Sequence, residues 1–163
     1  MKSIKLILIA LLGLMLLVSC GDTKNDDEAK DVDAWIGTWL SAGADVAPIL
    51  AAFFQYDSVR VEFKDDNTLT LESHVANGAW TTLQGTFVIT KSADGEIHHF
   101  AANYTAFEQE GIIEVTDGDP DVLKLEAVQT VPDIGAIPPT VAVGFGQDPT
   151  FGAGLIQTYK KVD

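Results

Sequence analysis

The chain has 163 residues, of which 24 are acidic and 10 are basic, and its formal net charge is −14. Nucleic acid and anionic membrane surfaces are poor partners for such a chain, because like charges repel. Cys20 is the single cysteine. An internal disulfide is therefore excluded, and the fold must be held by its hydrophobic core.

The first 19 residues have the three parts of a secretory signal peptide. Lys2 and Lys5 form a positive start, residues 6–18 are apolar throughout, and the small Ser19 precedes Cys20. The apolar run has the length of a signal-peptide core, roughly 7–15 residues, and is shorter than the ~20 residues of a spanning helix. An uncleaved membrane anchor or an ordinary signal peptide is the alternative interpretation.

Leu17, Val18, Ser19 and Cys20, followed by Gly21, resemble the lipobox of bacterial lipoproteins. The resemblance implies that the Cys20 thiol receives a diacylglyceryl group, that the leader is cut before it, and that the new amine is acylated, with chains such as palmitate. Several acyl chains make a lasting anchor, since each buried methylene contributes about 0.8 kcal/mol. By the lipoprotein sorting rule, glycine after the cysteine favours the outer membrane of a bacterial cell envelope.

Residues 20–34 form a predicted tether, which contains six acidic residues and almost no apolar ones. Such a segment cannot bury enough surface to offset the entropy of ordering, so we expect it to be solvated and disordered. Without Lys2 and Lys5, the exported chain has 8 basic residues against 24 acidic ones, a formal charge of −16. Residues 35–163 are long enough for one domain with its own core.

The predicted domain opens with an apolar, β-prone segment at residues 35–40, followed by a short helix over residues 45–54. Asp45 is expected to cap this helix, and Pro48 is tolerated in its first turn. Residues 46–54 carry no charge. The helix is therefore expected to lie against apolar surface on more than one side.

From residue 58 onward the apolar pattern has a period of two, which indicates strands. The predicted strands are residues 58–64, 68–75, 79–90, 96–106, 111–116, 122–130 and 154–161. Asn77 and Gly78 form the strongest hairpin signal, and a bend is expected at Gly85. The sequence thus predicts an all-β fold: an eight-stranded antiparallel up-and-down β-barrel with one short helix after the first strand. Residues 140–145 are a candidate ninth strand.

Gly37, Thr38 and Trp39 fit the G-x-W pattern that opens the first strand of lipocalins. Together with the predicted meander and the lipobox, the chain resembles a lipocalin-like (calycin-type) bacterial lipoprotein, with the barrel over residues 35–163. The resemblance implies that Trp39 closes one end of the barrel. The chain departs from the family in its last strand, which offers Lys160 and Lys161 where an arginine is expected, and in the early position of its helix.

An eight-stranded barrel is just wide enough to be filled by side chains or to hold one small apolar ligand. We expect the helix and the proline- and glycine-rich residues 131–152 to frame a mouth that admits such a ligand. One or two polar groups, such as Tyr104 or Arg60, would orient it. The candidate ligand-binding residues are Trp39, Phe53, Phe54, Arg60, Tyr104 and Phe145.

The sequence therefore favours a lipid-anchored barrel that binds a small hydrophobic molecule at the cell envelope, without catalysis. The alternative is a filled barrel that binds another envelope protein through its loops, as an inhibitor does. The interior discriminates between the two, because a small-molecule site needs a cavity above roughly 300 Å³.

No enzyme activity is predicted, because no serine, cysteine or carboxylate pair stands in a recognisable catalytic setting. Asp117, Asp119 and Asp121 alternate as in a calcium loop, but the later glutamate of such a loop is missing, so a polar turn is expected. His98 and His99 are adjacent and would face opposite sides of a strand. No metal or cofactor is expected beyond the covalent lipid on Cys20.

Overall fold

The computed structural model describes residues 32–162. The leader, the lipobox with Cys20 and residues 20–31 of the predicted tether lie outside these residues, so the predictions made for them stay predictions. Between residues 32 and 162, no helix has both the length and the apolar character needed to cross a bilayer.

Eight antiparallel strands close into a barrel in which each strand pairs with its sequence neighbours and the first pairs with the last. The predicted all-β up-and-down barrel, with one short helix after the first strand, is confirmed. The helix α1 is Pro48–Phe54, and the strands are β1 Gly37–Ala42, β2 Tyr56–Phe63, β3 Thr68–Val75, β4 Thr81–Thr90, β5 Ile97–Tyr104, β6 Glu108–Thr116, β7 Val122–Val131 and β8 Gln157–Lys161.

The period-two pattern of the sequence appears as alternating burial along the strands. On β2, Val59, Val61 and Phe63 are buried, whereas Arg60 and Glu62 between them are only half-buried. Successive strand residues point to opposite faces, so the apolar set of each strand faces the barrel interior. This alternation places the core of the domain inside the barrel.

One end of the barrel, which we call the closed end, carries the turns at residues 64–67, 91–96 and 117–121. Aromatic rings fill its interior. The ring of Phe63 lies 4.9 Å from that of Phe87 and 6.2 Å from that of Phe100, both edge to face. Such pairs add stabilisation beyond their buried area, so this half of the barrel is packed as a solid core.

Trp39 lies at the closed end and is 0% exposed. Its indole N–H donates a hydrogen bond of 2.8 Å to the carbonyl oxygen of Trp35. The Lys161 ammonium lies over its ring, 5.3 Å from the centroid. A lysine thus takes the place on the tryptophan ring where the family resemblance leads us to expect an arginine.

The opposite end, which we call the mouth, carries α1 and the long connection at residues 132–156. The expectation that α1 packs against apolar surface on more than one side is wrong. None of its residues is buried, and Phe53 and Phe54 are 74% and 56% exposed. The reason is its position at an open end of the barrel, where it contacts only β2 and the 3₁₀ helix at Gly152–Leu155 extensively.

Asp45 does not cap α1, contrary to the prediction. The residue at the N-cap position is Ala47, which makes no side-chain capping hydrogen bond. Asp45 instead ends a separate 3₁₀ helix at Gly43–Asp45, and its carboxylate accepts a hydrogen bond of 2.8 Å from the Lys160 ammonium. This ion pair ties the connection between β1 and α1 to the last strand.

The candidate ninth strand at residues 140–145 forms turns instead of a strand. The connection packs on the outer face of β7. There Glu126 is 0% exposed, and its Oε2 accepts a hydrogen bond of 2.7 Å from the Gly146 amide. Nearby, the Lys124 ammonium lies 5.9 Å from the ring centroid of Phe145. Residues 132–156 therefore cover one outer face as well as framing the mouth.

Candidate functional site

The mouth half of the barrel interior contains a cavity of about 720 Å³. This volume lies within the roughly 300–1,000 Å³ typical of small-molecule sites. Phe63 and Phe100, which belong to the packed half, also form part of its lining. The same rings thus serve as core on one side and as cavity wall on the other.

The walls of the cavity come from inward residues of the strands, and its rim comes from the mouth connections. Apolar wall residues include Val59, Val61, Leu71 and Leu125. The rim includes Leu50 and Phe54 of α1, residues 134–137 and residues 148–151. The site is therefore a largely apolar chamber that reaches from the barrel interior to exposed apolar side chains at the mouth.

Tyr104 reaches its place in the wall because its neighbour on β4 is a glycine. In the strand register Gly85 stands opposite Tyr104. A Cβ at Gly85 would overlap the carbonyl oxygen of Asn103 and lie 3.0 Å from Cδ1 of Tyr104. The Tyr104 ring then stacks on Phe107 with centroids 4.6 Å apart. Gly85 is thus required for close packing at the predicted bend.

Three buried polar side chains face this chamber: Tyr104, Gln157 and Tyr159. Burial raises the pKa of both tyrosines well above the ordinary phenol value, and the nearby phenol of Tyr104 adds to the effect on Tyr159. Both hydroxyls therefore stay protonated at neutral pH and can donate hydrogen bonds.

Gln157 is 4% exposed and is held by one hydrogen bond. The amide of Ala47 donates to its Oε1 at 2.7 Å, whereas its Nε2 has no partner among residues 32–162. A buried donor without an acceptor costs about 1–3 kcal/mol. The cavity wall therefore carries an unused donor.

Two of the predicted ligand-binding residues, Phe54 and Tyr104, line the cavity. The other four, Trp39, Phe53, Arg60 and Phe145, are not among its lining residues. Trp39 lies in the closed end, and Phe53 projects into solvent from α1.

Arg60 and Phe145 lie on the outer surface of the barrel. Arg60 sits between the inward residues Val59 and Val61, so the period of two directs it outward. There it forms a 2.6 Å ion pair with Glu72 and lies 5.0 Å from the ring centroid of Trp80. Phe145 packs outside against Lys124. Neither could orient a ligand in this cavity in the arrangement described.

Sequence reasoning missed Gln109, Gln129, Gln157 and Tyr159 as lining residues. A signal for them exists in the chain. Gln157 and Tyr159 occupy alternate positions of the last strand, the positions that face inward, and Gln129 does so on β7. A polar residue at an inward position of a barrel strand is therefore a useful sign of a cavity wall.

The cavity walls contain no lysine, arginine or histidine, and Asp148 is the one charged residue among them. Within residues 32–162, no three histidine, cysteine or acidic side chains gather as a set that could hold a metal ion. The arrangement can bury an apolar molecule and offer it a few hydrogen bonds.

Comparisons with protein-family models, with curated proteins and with solved structures find no match to this chain.

Proposed function

We propose that the barrel binds a small hydrophobic molecule in its cavity, without catalysis, while a lipid on Cys20 holds the protein at the bacterial cell envelope, in the outer membrane. The observation that carries the proposal is the cavity of about 720 Å³ with mostly apolar walls. Its volume favours ligand binding over the alternative of a filled barrel that acts only as a protein-binding or inhibitor module. Burial of apolar surface, at roughly 25 cal/mol per Å², would drive binding.

The exposed apolar side chains at the mouth also support a ligand-binding role. Phe54, Ile134, Ile137 and Phe151 line the cavity rim and remain exposed. Exposed apolar patches of this kind mark binding sites more often than the remaining surface does. They give a hydrophobic molecule an apolar route from solvent to the interior.

One mass measurement on protein purified from its own membranes tests both parts of the proposal. A cavity ligand adds mass under native conditions and is lost on denaturation, whereas a lipid on Cys20 persists after denaturation. An apo mass, combined with no thermal stabilisation by neutral hydrophobes such as Nile red, contradicts ligand binding. An unmodified mass for the denatured chain contradicts the lipid anchor.

A cavity-filling variant provides the matched control. Ala127 lines the cavity, so Ala127→Phe is expected to remove the non-covalent mass. Ala101 is the neighbour of the inward Ala102 on β5 and points outward, so Ala101→Phe is expected to retain the ligand. Circular dichroism and thermal melting of both variants show whether each is folded.

A further inference from the structure

A hydrogen bond from the Ala47 backbone fixes the orientation of the Gln157 side-chain amide. The oxygen must face the Ala47 N–H, because only Oε1 can accept that 2.7 Å hydrogen bond. The Nε2 group is consequently turned away from Ala47, in a side chain that lines the cavity and is 4% exposed. It finds no acceptor among residues 32–162. A side chain of the cavity wall thus holds an N–H donor that no described residue satisfies.

Two phenol hydroxyls accompany this donor. Tyr159 stands two residues after Gln157 on β8 and shares its inward face, and Tyr104 lines the cavity from β5. No residue between 32 and 162 forms a hydrogen bond with either hydroxyl. The three side chains together therefore form a group of donors without acceptors.

The charges of the cavity walls limit which molecules could supply a hydrogen-bond acceptor. The walls contain no cationic side chain to pair with a carboxylate, and the one charged lining residue, Asp148, is itself an anion. A buried anion without a counter-charge is strongly disfavoured. A free fatty acid in its ionised form therefore fits these walls poorly.

From these observations we infer that the ligand is an uncharged hydrophobe with a hydrogen-bond-accepting oxygen, such as an ester or ketone, whose oxygen accepts from one or two of the three donors Gln157 Nε2, Tyr104 Oη and Tyr159 Oη. This inference rests on the proposed function, because it names the chemical class of molecule that the same cavity takes. Hydrocarbon burial supplies most of the affinity, and the three donors select the head group.

The test compares three probes built on an unbranched twelve-carbon chain: methyl laurate, laurate and dodecane. Each probe is used to displace Nile red from a protein of residues 21–163. These residues contain the whole closed barrel and its core. At neutral pH laurate is ionised. Methyl laurate is expected to bind about tenfold more tightly than either of the others, the factor that one or two hydrogen bonds give.

Gln157→Glu tests the donor directly. A carboxylate oxygen can still accept from the Ala47 amide, but the Nε2 donor is gone, so the preference for methyl laurate over dodecane should fall at least severalfold. Gln84 lies exposed on β4, and Gln84→Glu adds the same charge without touching the cavity. Tyr104→Phe and Tyr159→Phe remove one hydroxyl each and keep the ring, so they test the site if Gln157→Glu does not fold.

The outcomes separate this inference from the proposed function. If laurate or dodecane binds as tightly as methyl laurate, or if both phenylalanine variants and Gln157→Glu keep the preference, the head-group inference is overturned while ligand binding stands. If Nile red and all three probes fail to bind the folded wild-type protein, both are overturned.

Discussion

The two ends of this barrel are built from the same eight strands but have opposite interiors. At the closed end, Trp39, Phe63 and Phe87 fill the space between the strands. Toward the mouth, the inward positions hold smaller or polar side chains such as Ser73 and Ala127, and a cavity of about 720 Å³ remains. Pairing of the last strand with β1, at Trp39 with Lys161 and Leu40 with Lys160, and with residues 122–125 of β7 closes the barrel. Side-chain volume at the inward positions then decides which half becomes core and which becomes chamber.

The packed closed end and the open mouth also differ in what they contribute to stability and to binding. Each large apolar side chain buried at the closed end contributes roughly 1.5–3 kcal/mol relative to an exposed one. At the mouth, Phe53, Ile134 and Ile137 are more than half exposed and contribute little to stability. The closed end therefore carries much of the stability, which allows the mouth half to keep an incompletely filled interior.

The largest expected effect is that of Trp39→Ala, which opens a void in the closed end. Removal of a fully buried tryptophan costs about 3–5 kcal/mol of unfolding free energy. Urea denaturation followed by circular dichroism measures the loss. The matched control is Trp80→Ala, because Trp80 is 40% exposed on the outer surface beside Arg60 and His74. A similar loss in both variants would show that the closed end is not the main source of stability.

A smaller effect is expected for Glu126→Ala, which removes the acceptor for the Gly146 amide beneath the long connection. The loss should be about 1–3 kcal/mol, because a buried hydrogen bond disappears. Hydrogen exchange of the Gly146 amide should accelerate, while exchange within the closed end stays slow. Glu126→Gln keeps an acceptor oxygen in place and should restore protection. Unchanged exchange at Gly146 in the alanine variant would contradict this role.

The smallest change in free energy is expected at the mouth, where α1 offers a matched pair of phenylalanines. Phe54 lines the cavity and Phe53 does not, although they are neighbours and both are exposed. Phe54→Ala should weaken Nile red binding about threefold to tenfold and alter unfolding free energy by less than about 1 kcal/mol. Phe53→Ala should leave the affinity unchanged. Equal weakening by both substitutions would place the binding surface outside the barrel.

Much of the fold could be predicted because the strands of the barrel share one pattern, in which apolar and polar residues alternate. Alternation of apolar and polar residues fixed the bounds of β3 at Thr68–Val75 correctly, and it placed Val59, Val61 and Phe63 inside. The hairpin at Asn77 and Gly78 lies between β3 and β4 as predicted, with Asn77 at a φ of 62°. These signals are local in sequence, so they could be interpreted without tertiary information.

The alternation of apolar and polar residues failed as a guide in two places. One is where a strand residue faces the cavity, and the other is where a connection covers the outer surface of the barrel. β6 begins at Glu108, not at residue 111, because Gln109 faces the cavity and breaks the apolar alternation. Glu126 occupies an outward position, where exposure is the normal expectation, but residues 132–156 fold over it. Both features depend on contacts between segments distant in sequence, and local pattern cannot reveal such contacts.

The candidate site was harder to predict than the fold for the same reason. Phe54 was identified because it lies on the helix expected to frame the mouth, and Tyr104 because its hydroxyl could orient a ligand. Gln157 was missed because its amide becomes notable only once Ala47 is seen to hold its oxygen and leave its nitrogen free. The alternation along β8 places Gln157 on the inward face, but it does not show that the side-chain nitrogen lacks a partner.

The first described residues have a consequence for access to the chamber. Asp33 is joined to Lys91 by a 2.6 Å ion pair, and Lys91 belongs to a turn of the closed end. The first described residues are therefore joined to the closed end, on the opposite side of the barrel from the mouth. A ligand that enters the chamber through the mouth would therefore reach it without passing these residues.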